Sequence, residues 1–145
     1  MAVEFRPPHF NSVTTMLSVQ DATTQVKFLE KAFDAKVLYK METPQGEIVH
    51  AEVDVLGTTM MVDCPRDSSG VQTAALYLYV EDCDTLFKSA IAAGATVIRE
   101  LENLFYGDRS GIVRDPNGNT WWIATHVEDV SDEEMGRRMR EMKAS

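Results

Sequence analysis

Apolar and polar residues alternate along Ser12–Val19 (SVTTMLSV) and again along Thr73–Val80 (TAALYLYV), a period of two that predicts half-buried strands. Each run is followed by an aspartate, Asp21 or Asp82, placed to offer an N-cap oxygen, and then by a helical period. Val26, Leu29 and Phe33 mark the first helix; Leu86, Ala90 and Ile91 mark the second, with Gly94 suited to a left-handed cap after it. Three further strands follow each helix. In the first half they are roughly Lys36–Glu42, Glu47–Val55 and Thr58–Asp63, separated by the turns TPQG and LG. In the second they are roughly Thr96–Phe105, Ser110–Arg114 and Thr120–His126. The last turn there is DPNG, where Pro116 presets one dihedral and Gly118 accepts positive φ.

The two halves also match in letters. MLSVQD at Met16–Asp21 returns as YLYVED at Tyr77–Asp82, DAKVL at Asp34–Leu38 loosely as GATVI at Gly94–Ile98, and GTTMMV at Gly57–Val62 as GNTWWI at Gly118–Ile123. The expectation is a single α+β domain over residues 1–145 made of two tandem βαβββ modules, 11–63 and 72–126, joined by a Pro/Ser/Gly-containing linker at 64–71. Residues 127–145 are expected to form a C-terminal amphipathic helix. Ser131 and Glu134 stand there at capping-box spacing, and Met135, Met139 and Met142 share one face, expected to pack inside the molecule.

Charge narrows the partners. A formal net charge of -9 argues against nucleic acid and anionic membrane, which would reward clustered Lys and Arg. Arg137, Arg138 and Arg140 lie among acidic residues and read as a solvated helix face. No apolar run approaches the ~20 residues of a spanning helix, and MAVEFRPPHF has no signal-peptide pattern, so the expected location is cytoplasmic, with Cys64 and Cys83 as reduced thiols.

Strand parity sorts the faces. Val13, Thr15, Leu17 and Val19 are expected beneath the helix. The opposite face collects Thr14, Met16 and Ser18; then Ile48, His50 and Glu52; Met61 and Asp63; Ala75, Tyr77 and Tyr79; and Trp122, Ala124 and His126. If the sheets curl, these residues surround an aromatic cleft with a few polar groups, the usual chemistry of a small-molecule pocket. His50 and Glu52, two apart on one face, are expected to hydrogen-bond each other; Glu100 and Glu102 read as solvated. No Gly-rich phosphate loop, nucleophile elbow or H-E-x-x-H helix is present.

LYLYVEDCDTLFKSAIAAGATVIRE, FYGDRSGIVRDPNGNTWWIATHVEDVS and HAEVDVLGTTMMV together resemble the vicinal oxygen chelate superfamily, which holds glyoxalase I, extradiol dioxygenases, fosfomycin-resistance transferases and bleomycin-resistance proteins. The likeness is greatest to its bacterial glyoxalase-like, phosphonate-related branch. Metal-dependent members hold an ion with one side chain from the first and one from the last strand of each module. The resemblance puts these positions on Thr14, Met61, Ala75 and Trp122, none of which is an ordinary ligand for a divalent ion. The implied reading is a protein without the usual metal site and with no cofactor, binding a small flat or aromatic molecule. Tyr77, Tyr79, Phe105, Trp122 and Met61 would line the cleft, and His50, Glu52 and His126 would be polar anchors. The alternatives are a metal-dependent lyase, isomerase or dioxygenase using a relocated site at His50, Glu52 or His126, and a structural dimer with a filled cleft. Whether the protein is an enzyme stays open. The resemblance also implies a homodimer, in some members with exchanged modules.

Overall fold

The computed structural model describes residues 2–66 and 70–144, so part of the linker expected at 64–71 lies outside the described residues. The chain runs β1 (Met16–Ser18), α1 (Ala22–Phe33), β2 (Lys36–Glu42), β3 (Ile48–Val55), β4 (Thr58–Asp63), β5 (Ala75–Tyr79), α2 (Cys83–Ala92), β6 (Thr96–Asn103), β7 (Asp108–Arg114), β8 (Thr120–His126) and α3 (Asp132–Ala144). Two four-stranded mixed sheets result, ordered β1-β4-β3-β2 and β5-β8-β7-β6, with no closed barrel. In each, the first strand pairs parallel with the last and the remaining pairs are antiparallel.

Both interior helices start as their sequence dictates. Asp21 accepts from the Thr24 backbone N–H at 3.0 Å and Asp82 from that of Thr85 at 3.1 Å, and each threonine hydroxyl adds a second bond to its aspartate at 2.7 Å. After α2, Gly94 takes φ 113, as its position suggested. After α1 the left-handed position is held by Asp34, a residue whose short polar side chain tolerates it.

The helix-covered faces of both sheets meet in one core. Leu17, Val19, Ala51, Val53 and Val62 from the first sheet, Val113, Trp121 and Ile123 from the second, and Phe28, Leu29 and Phe87 from the helices form a continuous buried cluster. Each large apolar side chain removed from water there contributes about 1.5–3 kcal/mol. Trp121 packs against Phe33 of α1 with ring centroids 5.0 Å apart, and α1 also packs on α2. A buried polar network locks this junction. Asp115 accepts from Gln25 Nε2 at 2.9 Å and Trp121 Nε1 at 2.9 Å, while Asn119 donates to Gln25 Oε1 at 3.0 Å.

Several expectations are corrected. β1 covers three residues rather than Ser12–Val19: the register with β4 runs only over Met16–Ser18, closed at its ends by bonds from Met61 N to Thr15 O and from Val19 N to Asp63 O. Upstream the chain turns on itself, with Thr14 Oγ1 donating to Asn11 O, so Val13 is 90% exposed and Thr15 is exposed too, instead of lying under α1. In α2 the inward residues are Cys83, Phe87 and Ala90, and Ile91 faces out. The C-terminal helix begins at Asp132, capped by Ser131 Oγ accepting from Glu134 N, and residues 127–131 are not helical. Its methionines do not bury as a stripe: Met135 is half-buried, but Met139 is 38% and Met142 54% exposed. What holds α3 is Arg138, which donates to Phe105 O at 2.7 Å and pairs with Glu128 and Glu134, so it is not the freely solvated cation expected. Among the described residues no helix is long and apolar enough to cross a membrane.

Candidate functional site

The most organised side chains outside the core lie on the open face of the second sheet. Register sets Tyr77 of β5 beside Trp122 of β8, Tyr79 beside Ala124, and on the other flank of β8 Ile112, Ser110 and Asp108 of β7 beside Trp122, Ala124 and His126. Neighbouring strands are ~4.8 Å apart, so a phenol on β5 must lie across β8 to reach β7. Both do so. Tyr77 and Tyr79 donate to Asp108 Oδ2 at 2.5 and 2.8 Å, their rings 5.1 Å apart, and Ala124 beneath is small enough to be wholly covered. His126 Nδ1 closes the other oxygen of Asp108 at 3.0 Å, and its Nε2 reaches Asp129 at 2.8 Å. Asp108 is thereby 2% exposed on a face where Tyr77 and Tyr79 remain 40% and 63% exposed.

These contacts fix the charge states. Burial opposes ionisation of Asp108, but hydrogen bonds from Tyr77, His126 and Tyr79 outweigh it and hold the carboxyl below its usual range. For Tyr77, burial first and the bond to Asp108 second push the phenol well above its ordinary value; for Tyr79 the bond to Asp108 leads and burial follows. Hydrogen bonds to Asp108 and then Asp129 raise His126. At neutral pH the cluster is therefore two neutral phenols and a histidine biased toward imidazolium around one carboxylate. Its donors are engaged internally, so what it presents outward is aromatic ring and oxygen lone pairs. Arg99, on the same face, donates to Ser110 O and Oγ at 2.9 and 2.7 Å.

The first sheet treats its expected site residues differently. His50 and Glu52 do not bond each other. His50 Nδ1 meets Asp63 at 3.3 Å, its direct partner across the β3–β4 pair, and Glu52 meets His9 Nε2 at 2.8 Å. Directly paired residues stand closer than i, i+2 neighbours along a strand, which is why the cross-strand partner wins. Met61 is half-buried and lines a hollow of about 270 Å³ with Phe10 and Thr14, roofed by the chain's own residues 5–12. Phe105 belongs to neither face. It sits in the β6–β7 turn against Tyr106, with ring centroids 5.3 Å apart. Thus Tyr77, Tyr79, Trp122 and His126 are brought together on one sheet and His50, Glu52 and Met61 on the other. Because the helix-covered sides share one core, the two groups do not face each other across a cleft within the chain.

The four positions that the resemblance assigns to metal ligands do not fit an ion. Thr14 Oγ1 is engaged with Asn11 O at 2.9 Å, and Ala75, Met61 and Trp122 offer no oxygen or imidazole. Among the described residues no three His, Cys, Asp or Glu side chains converge as ligands would.

Asp108, the centre of the cluster, was invisible to strand reading because β7 was expected to begin at Ser110. Extending the alternation by one pair would have set Asp108 opposite His126, where it is. His9 and Phe10, which cover the first sheet's open face, carried no periodic signal at all.

Comparison with known proteins places this geometry. The family model described as Glyoxalase/Bleomycin resistance protein/Dioxygenase superfamily matches residues 9–123. An uncharacterised protein of Mycobacterium bovis is 34% identical over 150 aligned positions, covering 96% of each chain. Among solved structures, TioX from Micromonospora sp. ML1 superposes with a TM-score of 0.67 at 24% identity, over 83% of this chain and 100% of that one. A lactoylglutathione lyase from Agrobacterium tumefaciens does so with a TM-score of 0.63 at 19% identity, over 82% and 96%. At these identities the structural likeness concerns the fold.

Proposed function

The chain belongs to the glyoxalase/bleomycin resistance protein/dioxygenase superfamily, and from that premise we propose that it binds a small flat or aromatic molecule without a metal at the superfamily position. The observation that carries this reading is the open face of the second sheet. Trp122, at a position the resemblance assigns to a metal ligand, is paired with Tyr77, and the phenols of Tyr77 and Tyr79 are anchored on buried Asp108 and so hold their rings in place. Rings fixed in advance cost less entropy on binding, which favours stacking as the source of affinity. His50 on the first sheet's open face, with the roof that residues 5–12 form over Met61 and Glu52, supplies the opposing wall when two chains associate. We accordingly take the working unit to be a homodimer, in which the first module of one chain faces the second module of another.

Metal stoichiometry and ligand fluorescence test this together. The untagged protein is offered Zn, Ni, Mn and Fe in turn, desalted, and counted for metal per chain; Trp emission is then titrated with planar aromatic compounds. The expected result is sub-stoichiometric metal, saturable quenching of half-buried Trp122, and affinity lowered by ~1–3 kcal/mol in Trp122→Ala. One metal per chain, or quenching that survives Trp122→Ala, overturns the reading in favour of a metal-dependent enzyme or an idle face respectively. Light scattering on the eluted peak decides between one chain and two.

A further inference from the structure

The repeat places Leu56-Gly57 at the same point of the first module as Asn117-Gly118 in the second, and Asp21 at the same point as Asp82. Both hairpin tips lie beside the start of the other module's helix, but they are not used alike. Asn117 clamps its neighbour: its Oδ1 accepts from Asp21 N at 3.2 Å and its Nδ2 donates to Asp21 O at 2.9 Å. Leu56 has no amide with which to do the same. It nevertheless occupies the left-handed region, φ 52, followed by Gly57 at φ 88. This pair of positive φ values suits Asn-Gly and strains a branched apolar residue. The strain is not relieved by burial, since Leu56 is 48% exposed.

What Leu56 does instead is wall a hollow of about 770 Å³ between the modules, together with Tyr79, Val80, Glu81, Thr125 and His126. It is an open dish rather than an enclosed cavity, so a ligand there keeps part of its surface in water. Its chemistry is one-sided. Leu56 and Val80 are apolar, the Tyr79 ring is open to solvent, Glu81 brings a carboxylate, and among the described residues no Lys or Arg lines it. The one basic group, His126, is matched by two carboxylates, Asp108 and Asp129. Tyr79 has committed its hydroxyl proton to Asp108, so its ring and oxygen lone pairs face the hollow without a donor.

We propose that this hollow is a binding site for a small organic cation, an ammonium or alkylammonium group carried on an apolar skeleton. The cation sits toward Glu81 and the Tyr79 ring, and the skeleton lies on Leu56 and Val80. The site adjoins the face carrying Trp122, with which it shares Tyr79 and His126, and all its walls come from a single chain, so it does not depend on dimerisation.

The test is a titration of the ¹⁵N-labelled full chain, followed by amide shifts, with choline and with its neutral isostere 3,3-dimethyl-1-butanol. Choline is expected to shift the amides of Leu56, Gly57, Val80 and Glu81 saturably, about fivefold more tightly than the isostere. Glu81→Gln should erase most of that preference. Leu56→Asn replaces the apolar wall by an amide and suits the positive φ, and should abolish the shifts while the thermal midpoint holds or rises. Shifts absent at these four amides, equal responses to cation and isostere, or an unchanged response in folded Leu56→Asn each overturn the proposal; if Leu56→Asn does not fold, the cation preference in Glu81→Gln decides. Failure of the aromatic-ligand reading is registered elsewhere, at Trp122 emission, so the two results are independent.

Discussion

Replacing Asp115 by alanine probes the junction on which the relation between the two modules depends. The Asp115 carboxylate is 4% exposed and receives Gln25 Nε2 and Trp121 Nε1 at 2.9 Å each, with the backbone N–H groups of Asn117 and Asn119 at 3.0 and 2.9 Å. Gln25 and Trp121 are both fully buried, so Asp115→Ala strands two side-chain donors away from water, at about 1–3 kcal/mol each. Turn amides that lose their acceptor add to this, and a water entering the vacated space offsets part of it. The expected loss is about 3–5 kcal/mol, a large share of the ~5–15 kcal/mol that folded domains possess. It corresponds to a fall in Tm on the order of 10 °C. Urea unfolding followed by tryptophan emission is the natural assay, since Trp121 reports the core directly. The midpoint should drop with m unchanged, because the area exposed on unfolding is the same. Asp115→Asn, which keeps one acceptor oxygen, should fall between. A loss under about 1 kcal/mol for Asp115→Ala would refute the idea that this carboxylate ties α1 of the first module to the β7–β8 turn of the second.

The remaining predictions concern the open face of the second sheet and the helix behind it. Hydrogen bonds to Asp108 and Asp129 raise His126, so its contribution to stability is fully present below the unfolded value of ~6.5 and is lost as pH rises through the higher folded value. His126→Gln should therefore narrow the stability gap between about pH 6 and pH 8. An NMR titration of the imidazole that gives a midpoint at or below the ordinary value would contradict the assignment. Gly111→Ala would place a methyl 2.5 Å from Phe87 Cε2, against a ring that is itself 3% exposed. The cost should be ~1–3 kcal/mol by denaturant unfolding, partly recovered by adding Phe87→Leu; a neutral Gly111→Ala would show that the ring has room to move.

The parts of the fold that could be read in the sequence are those whose cause is local. Asp21 and Asp82 cap the helices they precede because an aspartate oxygen needs only the N–H three residues on. Tyr77, Tyr79 and Trp122 share a face because strand parity requires it. Partnerships between segments escaped: His50 was matched to Glu52 along its own strand, whereas the pairing of β3 with β4 gives it Asp63. Asp108 escaped for a related reason, since its role is set by side chains 31, 29 and 18 positions away. The methionines of α3 kept a helical period, yet period does not say whether another element lies opposite. Here α3 is held by Arg138 rather than by its apolar stripe.

The sequence by itself determined the two βαβββ modules, their caps and turns, and the face of the second sheet that Tyr77, Tyr79, Trp122, Ala124 and His126 share. All of these follow from periodicity, residue chemistry and internal repetition over a few positions. Only the tertiary structure decided that the helix-covered faces share one core, that Asp115 stitches the modules together, that residues 5–12 roof the first sheet, and that Asp108 gathers Tyr77, Tyr79 and His126. Each of those depends on which surfaces meet, and a buried polar group finds its partner wherever the packing of the whole chain brings a donor within about 3 Å.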